Sequence, residues 1–165
     1  MTPRPFVMWP DARLKSRAAE VEEITDQIKA IWDEMTEAME AMPGVGLAAP
    51  QLGIMLRLAI VDASQERGRV IRLANPVVVS ASDDTNTWDE ASPNLPGLSA
   101  TVRRPARVTV AFTNDQGQQV QQEFEGLWAT SVQHQIDHLD GKLYVDRLSR
   151  TKRDMLLKKA RKGAR

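Results

Sequence analysis

The stretch Gln133-His134-Gln135-Ile136-Asp137-His138-Leu139 decides how the rest of this sequence is interpreted. It contains the only two histidines of the 165-residue chain, four positions apart. In a helix, side chains at this spacing project from the same face, so both imidazoles can bind one metal ion. Zinc hydrolases with this spacing place Glu directly after the first His, where it acts as general base. Gln135 takes that position in this chain.

The composition excludes several classes of function. Lys and Arg together number 22, as do Asp and Glu, so a net charge of zero gives no bulk basis for binding DNA or a membrane. No apolar run approaches the roughly 20 residues that span a bilayer. Residues 1–5 contain no apolar signal core, so we expect a cytoplasmic protein. The absence of Cys excludes disulfides, Cys–zinc sites and Cys nucleophiles.

The hydrophobic pattern predicts an α+β fold in a single domain over residues 1–165. Apolar residues at spacings of three and four predict a helix that Thr25 caps and Pro43-Gly44 ends. The segments predicted as strands are residues 57–62, 70–73, 77–79, and a hairpin of 108–112 with 120–124. Residues 81–100 are predicted as a loop. Residues 127–139 are predicted to form the His-bearing helix, and residues 149–165 a basic C-terminal helix.

Three stretches together resemble the motifs of peptide deformylases, bacterial metallohydrolases that remove the formyl group from N-terminal formylmethionine. Residues 44–51 match the family's GxGxAAxQ motif, and residues 133–147 resemble QHExDHLxGxLxxDR. Between them, Pro96-Gly97 and residues 102–105 align with the family's Pro-Gly step and V-x-R-P strand entry. This alignment places the EGCLS motif on residues 90–94 without a gap. The chain is similar to the family from about residue 10 to residue 147.

The resemblance implies a fold and a set of roles. Antiparallel sheets would surround a central His-bearing helix, with one helix near the N-terminus and one at the C-terminus. His134 and His138 would be metal ligands, and Gln51 would donate a hydrogen bond to the formyl oxygen. Glu90 and Arg104 would form a structural ion pair. The residues expected to contact the peptide are Gly44, Val45, Gly46 and Pro93.

Three positions depart from the family pattern. Ser92 replaces the Cys ligand, and a neutral hydroxyl substitutes poorly for a soft thiolate. Gln135 replaces the general base, whose contribution is roughly 10²–10⁴-fold in rate, and a carboxamide cannot accept the proton. Pro93 lacks the backbone N–H that would hold the oxyanion, a loss of about 2.7–4 kcal/mol. The sequence therefore predicts either no metal or a weakly bound Fe or Zn ion, and lost or strongly reduced activity.

Two alternatives stay open from the sequence alone. The first is an active metal-dependent peptide deformylase with an atypical centre, in which Ser92, or a water that it holds, completes the metal site. Gln135 would then position the nucleophile. The second is a metal-free hydrolase with Ser92 as nucleophile and His134 or His138 as base. An ordinary loop hydroxyl is the simpler interpretation of Ser92.

The expected ligands are N-terminal formyl-Met peptides, and the ribosome is a candidate partner. The family's C-terminal helix contacts ribosomal RNA, and the corresponding segment of this chain is basic. Its positive residues are Lys152, Arg153, Lys158, Lys159, Arg161 and Lys162. A solvated helix face is the simpler interpretation of this run of charge.

Overall fold

A computed structural model describes residues 4–163, in which three α-helices and seven strands follow one another. The termini of the predicted domain and of its basic helix, residues 1–3 and 164–165, lie outside the described residues. The elements are α1 (Asp26–Ala41), β1 (Gly46–Ala48), β2 (Leu58–Val61), β3 (Ile71–Ala81), β4 (Thr85–Glu90), β5 (Ala100–Pro105), β6 (Arg107–Thr113), β7 (Gln119–Glu125), α2 (Gly126–Leu139) and α3 (Arg150–Gly163). Short 3-10 turns join them at Ala12–Lys15, Ala49–Leu52 and Tyr144–Arg147.

The strands form two antiparallel sheets around helix α2, which confirms the predicted fold class. One sheet has the order β1-β2-β3-β6-β7, and β4 pairs with β5 in the other. Helix α2 contacts strands of both sheets, and residues 129–139 are all buried. Its apolar face, with Val132 and Ile136, packs under the five-stranded sheet against Val110 and Phe124. Its polar face, which carries both histidines, is therefore enclosed by the protein as well.

Helix α1 covers the other end of the five-stranded sheet and begins where the sequence predicts. The Thr25 hydroxyl accepts a hydrogen bond from the backbone N–H of Ile28 and caps the first turn. Trp32, Met35 and Met39 are fully buried against the residues of β1 and β2. The methionines of this helix are therefore core residues, because their flexible side chains fill an irregular interface.

Two features of the sheets differ from the sequence prediction. Segments 70–73 and 77–79 belong to one strand, β3, which continues through a bulge at Asn75. Asn75 has a φ of 52°, and its side chain bonds to both the N–H and the C=O of Val21. The prediction of a loop over residues 81–100 is wrong in part, because β4 occupies residues 85–90. Most β4 side chains are exposed on both faces, so no hydrophobic alternation marks the strand.

Helix α3 packs against the rest of the protein through a small apolar cluster. Leu156 and Leu157 are buried against Trp9, Tyr144 and Val145, while the basic side chains of the helix lie on the outside. Within residues 4–163, none of the helices combines the length and the apolar character that a membrane crossing requires.

Candidate functional site

Helix α2 brings the two histidines into direct contact on its polar face. The Nε2 atoms of His134 and His138 lie 3.2 Å apart. Two ligands of one tetrahedral ion, each about 2.0–2.1 Å from it, are separated by roughly 3.3 Å. The pair therefore has the spacing that a shared metal ion requires, although each ring is buried within the protein.

A carboxylate fixes the orientation of the first imidazole. Nδ1 of His134 lies 2.8 Å from Oε1 of Glu90. A carboxylate accepts hydrogen bonds, so Nδ1 carries a proton and Nε2 of the ring faces His138. Carboxylate–histidine contacts of this kind orient metal-binding imidazoles in proteins.

The second imidazole is the more deeply buried, with 1% of His138 exposed. Burial, reinforced by His134 and Arg104, lowers the pKa of His138 well below its ordinary value. Its Nδ1 has no hydrogen-bond partner among the residues that the structure describes. His138 is therefore neutral near pH 7, which is the form that binds metal.

A buried ion network holds this helix against the β4–β5 sheet. Arg104 donates to both Glu90 oxygens, with Nε and Nη2 distances of 2.7 and 2.9 Å, and its Nη1 lies 2.9 Å from Asp137. Asp137 also accepts two bonds from Arg147, so the predicted pair Glu90–Arg104 is part of a larger network. We call Glu90, Arg104, Asp137 and Arg147 the buried ion network, although Arg147 extends to the surface. Burial raises the pKa of Glu90, but His134 and Arg104 outweigh it, so the pKa lies below its ordinary value.

Ser92, at the position of the third ligand, is engaged by other partners. Its hydroxyl lies 2.8 Å from Oδ1 of Asn94, to which it donates, and 3.2 Å from Nε2 of Gln51. The described residues contain no group of three His, Cys, Asp or Glu that could hold a metal ion. The side chains present thus supply two ligands and do not fit a centre with three protein ligands. Because Ser92 donates to Asn94, the contacts also give no support for Ser92 as a His-activated nucleophile.

Gln135, at the position of the general base, lies between α2 and strand β1. Its Nε2 is 3.5 Å from Oγ of Ser131, and its buried Oε1 has no partner among the described residues. Gly46 packs directly over it, since a Cβ at Gly46 would overlap with Ser131 and the Gln135 amide. The Ser131 hydroxyl donates to the carbonyl of Val45 at 2.8 Å, which holds the strand at this distance. The small residues at the start of β1 thus permit a close approach to α2.

These groups border a cavity of about 430 Å³. The residues predicted for the site that line it are Gly44, Val45, Gly46, Gln51, Glu90, Ser92, Pro93, His134 and Gln135. Met42, Pro43 and Leu127 add an apolar wall. The structure therefore assembles the three sequence motifs around one pocket, of a size that accepts a short peptide segment.

Comparison with known proteins supports the same assignment. The polypeptide deformylase family matches residues 3–154. The peptide deformylase of Phenylobacterium zucineum is 40% identical over all of this chain and 99% of its own length. That of Agrobacterium fabrum is 38% identical over all of this chain and 98% of its own.

Solved structures agree with the sequence relatives. The peptide deformylase of Ehrlichia chaffeensis in complex with actinonin superimposes with a TM-score of 0.92 at 31% identity, covering 100% of this chain and 99% of the other. That of Legionella pneumophila gives a TM-score of 0.90 at 36% identity, with coverage of 98% and 95%. The fold and cavity define a deformylase-type α+β protein. The chain belongs to the peptide deformylase family.

Sequence reasoning missed three residues of the site. Asn94 contacts both Ser92 and Gln51. The only sequence signal for this residue was its place in the alignment with the EGCLS motif. Tyr144 stacks near His134, with ring centroids 6.1 Å apart, and burial together with Glu90 raises its pKa to about 12. Arg147 joins the ion network from beyond α2, and only the DR ending of the third motif pointed to it.

Proposed function

We propose that this protein is a peptide deformylase homologue with lost or strongly reduced hydrolytic activity, which binds N-terminal peptides in the cavity beside α2. One observation carries the proposal. The cavity is complete, yet the positions of the third ligand, the base and one oxyanion donor hold Ser92, Gln135 and Pro93. Such groups act as a unit in catalysis, so replacement of any one of them already removes most of the rate, and the three losses do not add.

The experiment measures metal content, formate release from formyl-Met-Ala and binding of this peptide by calorimetry. Wild type is compared with Ser92→Cys/Gln135→Glu. We expect wild type to bind peptide without releasing formate, and the double variant to gain metal because it regains a thiolate ligand. Ser99→Cys/Gln118→Glu, at two exposed positions, is the matched control.

The outcomes separate the causes. Metal and activity in the double variant would mean that the centre alone has changed. Metal without activity would direct attention to Pro93, and Pro93→Leu would be added. Stoichiometric metal in anaerobically purified wild type, with formate release, would overturn the proposal.

That last outcome would establish the alternative, an active metal-dependent deformylase with an atypical centre. The observation in its favour is the preorganised histidine pair, with Nε2 atoms 3.2 Å apart and one ring oriented by Glu90. Because both rings are already held in place, metal binding would cost little of their conformational entropy. A metal-free wild type would end this alternative.

The ribosome is a candidate partner through α3, whose outer face is basic. Deleting residues 150–165 would be a poor test, because Leu156 and Leu157 are buried in the apolar cluster with Trp9. Reversal of the exposed charges of Lys158, Lys159 and Lys162 to Glu leaves this packing in place. We expect ribosome co-sedimentation to fall in low salt. The same reversal at Lys15, Lys29 and Lys142, which are also exposed, should not change it; equal effects would refute the partner.

A further inference from the structure

The side-chain amide of Gln51 has a fixed orientation, because backbone groups settle which of its ends is the acceptor. Its Oε1 accepts a hydrogen bond from the backbone N–H of Ala48 at 2.9 Å. An N–H can only donate, so the oxygen must face Ala48 and the NH₂ group must face the opposite way. Gln51 is 2% exposed, which leaves the amide little room to turn.

Asn94 is oriented in the same manner. Its Nδ2 donates to the carbonyl oxygens of Val7 and Gln51, which cannot donate in return. Its Oδ1 therefore faces Gln51, and lies 2.7 Å from Nε2 of that residue. The Ser92 oxygen lies 3.2 Å from the same nitrogen. Asn94 is 1% exposed, so this contact is sheltered from water.

A formyl oxygen in the cavity would consequently have to compete for a nitrogen that already donates to two buried oxygens. Displacing Asn94 would leave a buried oxygen with one partner fewer, and such losses offset the bond that is gained. The other donor that the family resemblance implies is absent, since Pro93 has no backbone N–H. The apolar wall of the cavity does not depend on the Gln51–Asn94 contact or on the missing N–H of Pro93.

We propose that the cavity binds N-terminal peptides through the side chain and backbone of the first residue and does not read the formyl group. The proposal rests on the proposed function, namely that the cavity binds peptides. Its ligand class is peptides with an apolar first side chain, which the wall of Met42, Pro43 and Leu127 can contact, whether or not the N-terminus carries a formamide. Asn94 is the positioning residue that determines this class, because it holds the Gln51 amide.

The test compares two ligands in calorimetry with the wild-type protein. One is formyl-Met-Ala-Ser, and the other has hydrogen in place of the formamido group. Neither ligand has a charged amine at its N-terminal end, so the two carry the same charge. We expect dissociation constants that agree within about threefold, because one net hydrogen bond would give roughly tenfold. In Gln51→Ala the ratio of the two dissociation constants should also stay within about threefold of one.

Release of the amide gives a second measurement. In Asn94→Ala the NH₂ group of Gln51 loses its nearest acceptor, so we expect a preference of about tenfold for the formyl peptide. The preference should disappear in Gln51→Ala/Asn94→Ala, as a double-mutant cycle requires. Asn94→Ser keeps a small polar side chain and serves if Asn94→Ala unfolds at the assay temperature.

The outcomes distinguish this inference from the proposed function. A tenfold preference for the formyl peptide in wild type that Gln51→Ala abolishes would overturn the inference and leave peptide binding intact. Failure of both ligands to bind at millimolar concentration would overturn the proposed function, and the inference with it. Equal affinities in wild type, with a Gln51-dependent preference in Asn94→Ala, would support both.

Discussion

The buried ion network reaches the cavity through Glu90, and the Ser92 loop, residues 91–95, reaches it through Ser92 and Pro93, but the two differ in what they contribute. In the network each charge has a partner, and Arg104 contacts carboxylates on β4 and α2 at once. In the Ser92 loop the polar side chains of Ser92 and Asn94 hydrogen-bond to each other and to the Gln51 amide. The network therefore stabilises the fold through paired charges, whereas the loop is held by hydrogen bonds between neutral groups.

The two regions also differ in what the removal of one group would cost. A metal ligand that is simply removed would leave a buried polar gap, which costs stability. The Ser92 hydroxyl donates to Asn94, so the loop has no polar gap at this position. The network has no such substitute, since unpaired charges at Glu90 or Asp137 would remain buried.

The strongest test of this comparison is Arg104→Ala. The variant leaves the carboxylates of Glu90 and Asp137 buried without their shared partner, and we expect a loss of about 3–5 kcal/mol in the free energy of unfolding. Urea unfolding followed by circular dichroism measures it. Arg107→Ala is the control, because its pair with Asp84 is exposed and should contribute about 0–1 kcal/mol. Equal losses in the two variants would contradict the assignment of the network as structural.

Gly46→Ala tests the contact between strand β1 and the base position. The added methyl would overlap with Ser131 and Gln135. We expect this overpacking to lower the free energy of unfolding by about 1–3 kcal/mol. Gly163→Ala has open space around the new methyl and lies in α3, so it should cost nothing. Thermal unfolding of both proteins gives the comparison. A stable Gly46→Ala would mean that β1 can move away from α2.

Much of this arrangement follows from the sequence, for identifiable reasons. Helix α1 is predictable because its cap, Thr25, and its apolar spacing are local signals. The histidine pair is predictable because four residues make one helical turn. Strand β4 is not, since neither face is consistently buried and its pairing with β5 is nonlocal. The contact of Asn94 with Gln51 joins residues 43 positions apart, so no periodicity could indicate it.

Acid sensitivity tests the histidine side of the site in protein treated with EDTA. Burial lowers the pKa of His138 in the folded protein. Below about pH 6.5 His138 is therefore protonated in the unfolded state and still neutral in the folded state. Stability should thus fall by about 1–2 kcal/mol from pH 7 to pH 5. His138→Gln should flatten this part of the profile. Glu90, whose pKa is lowered, loses its contribution only below about pH 4.5, outside the window. If the stability of the variant and of wild type fell in parallel with pH, the acid sensitivity could not be attributed to His138.

Ser92→Ala is expected to have the smallest effect, which sharpens the contrast with Arg104. The variant removes a hydroxyl but leaves the 2.7 Å bond between Gln51 and Asn94, so the loop keeps its strongest contact. A neutral hydrogen bond contributes about 0.5–1.5 kcal/mol, and the loss should lie at the lower end of that range. Ser99→Ala, at an exposed position, is the matched control and should be neutral. Thermal unfolding measures both. A loss as large as that of Arg104→Ala would contradict the comparison, because the neutral contacts of the loop would then stabilise the fold as much as the paired charges of the network do.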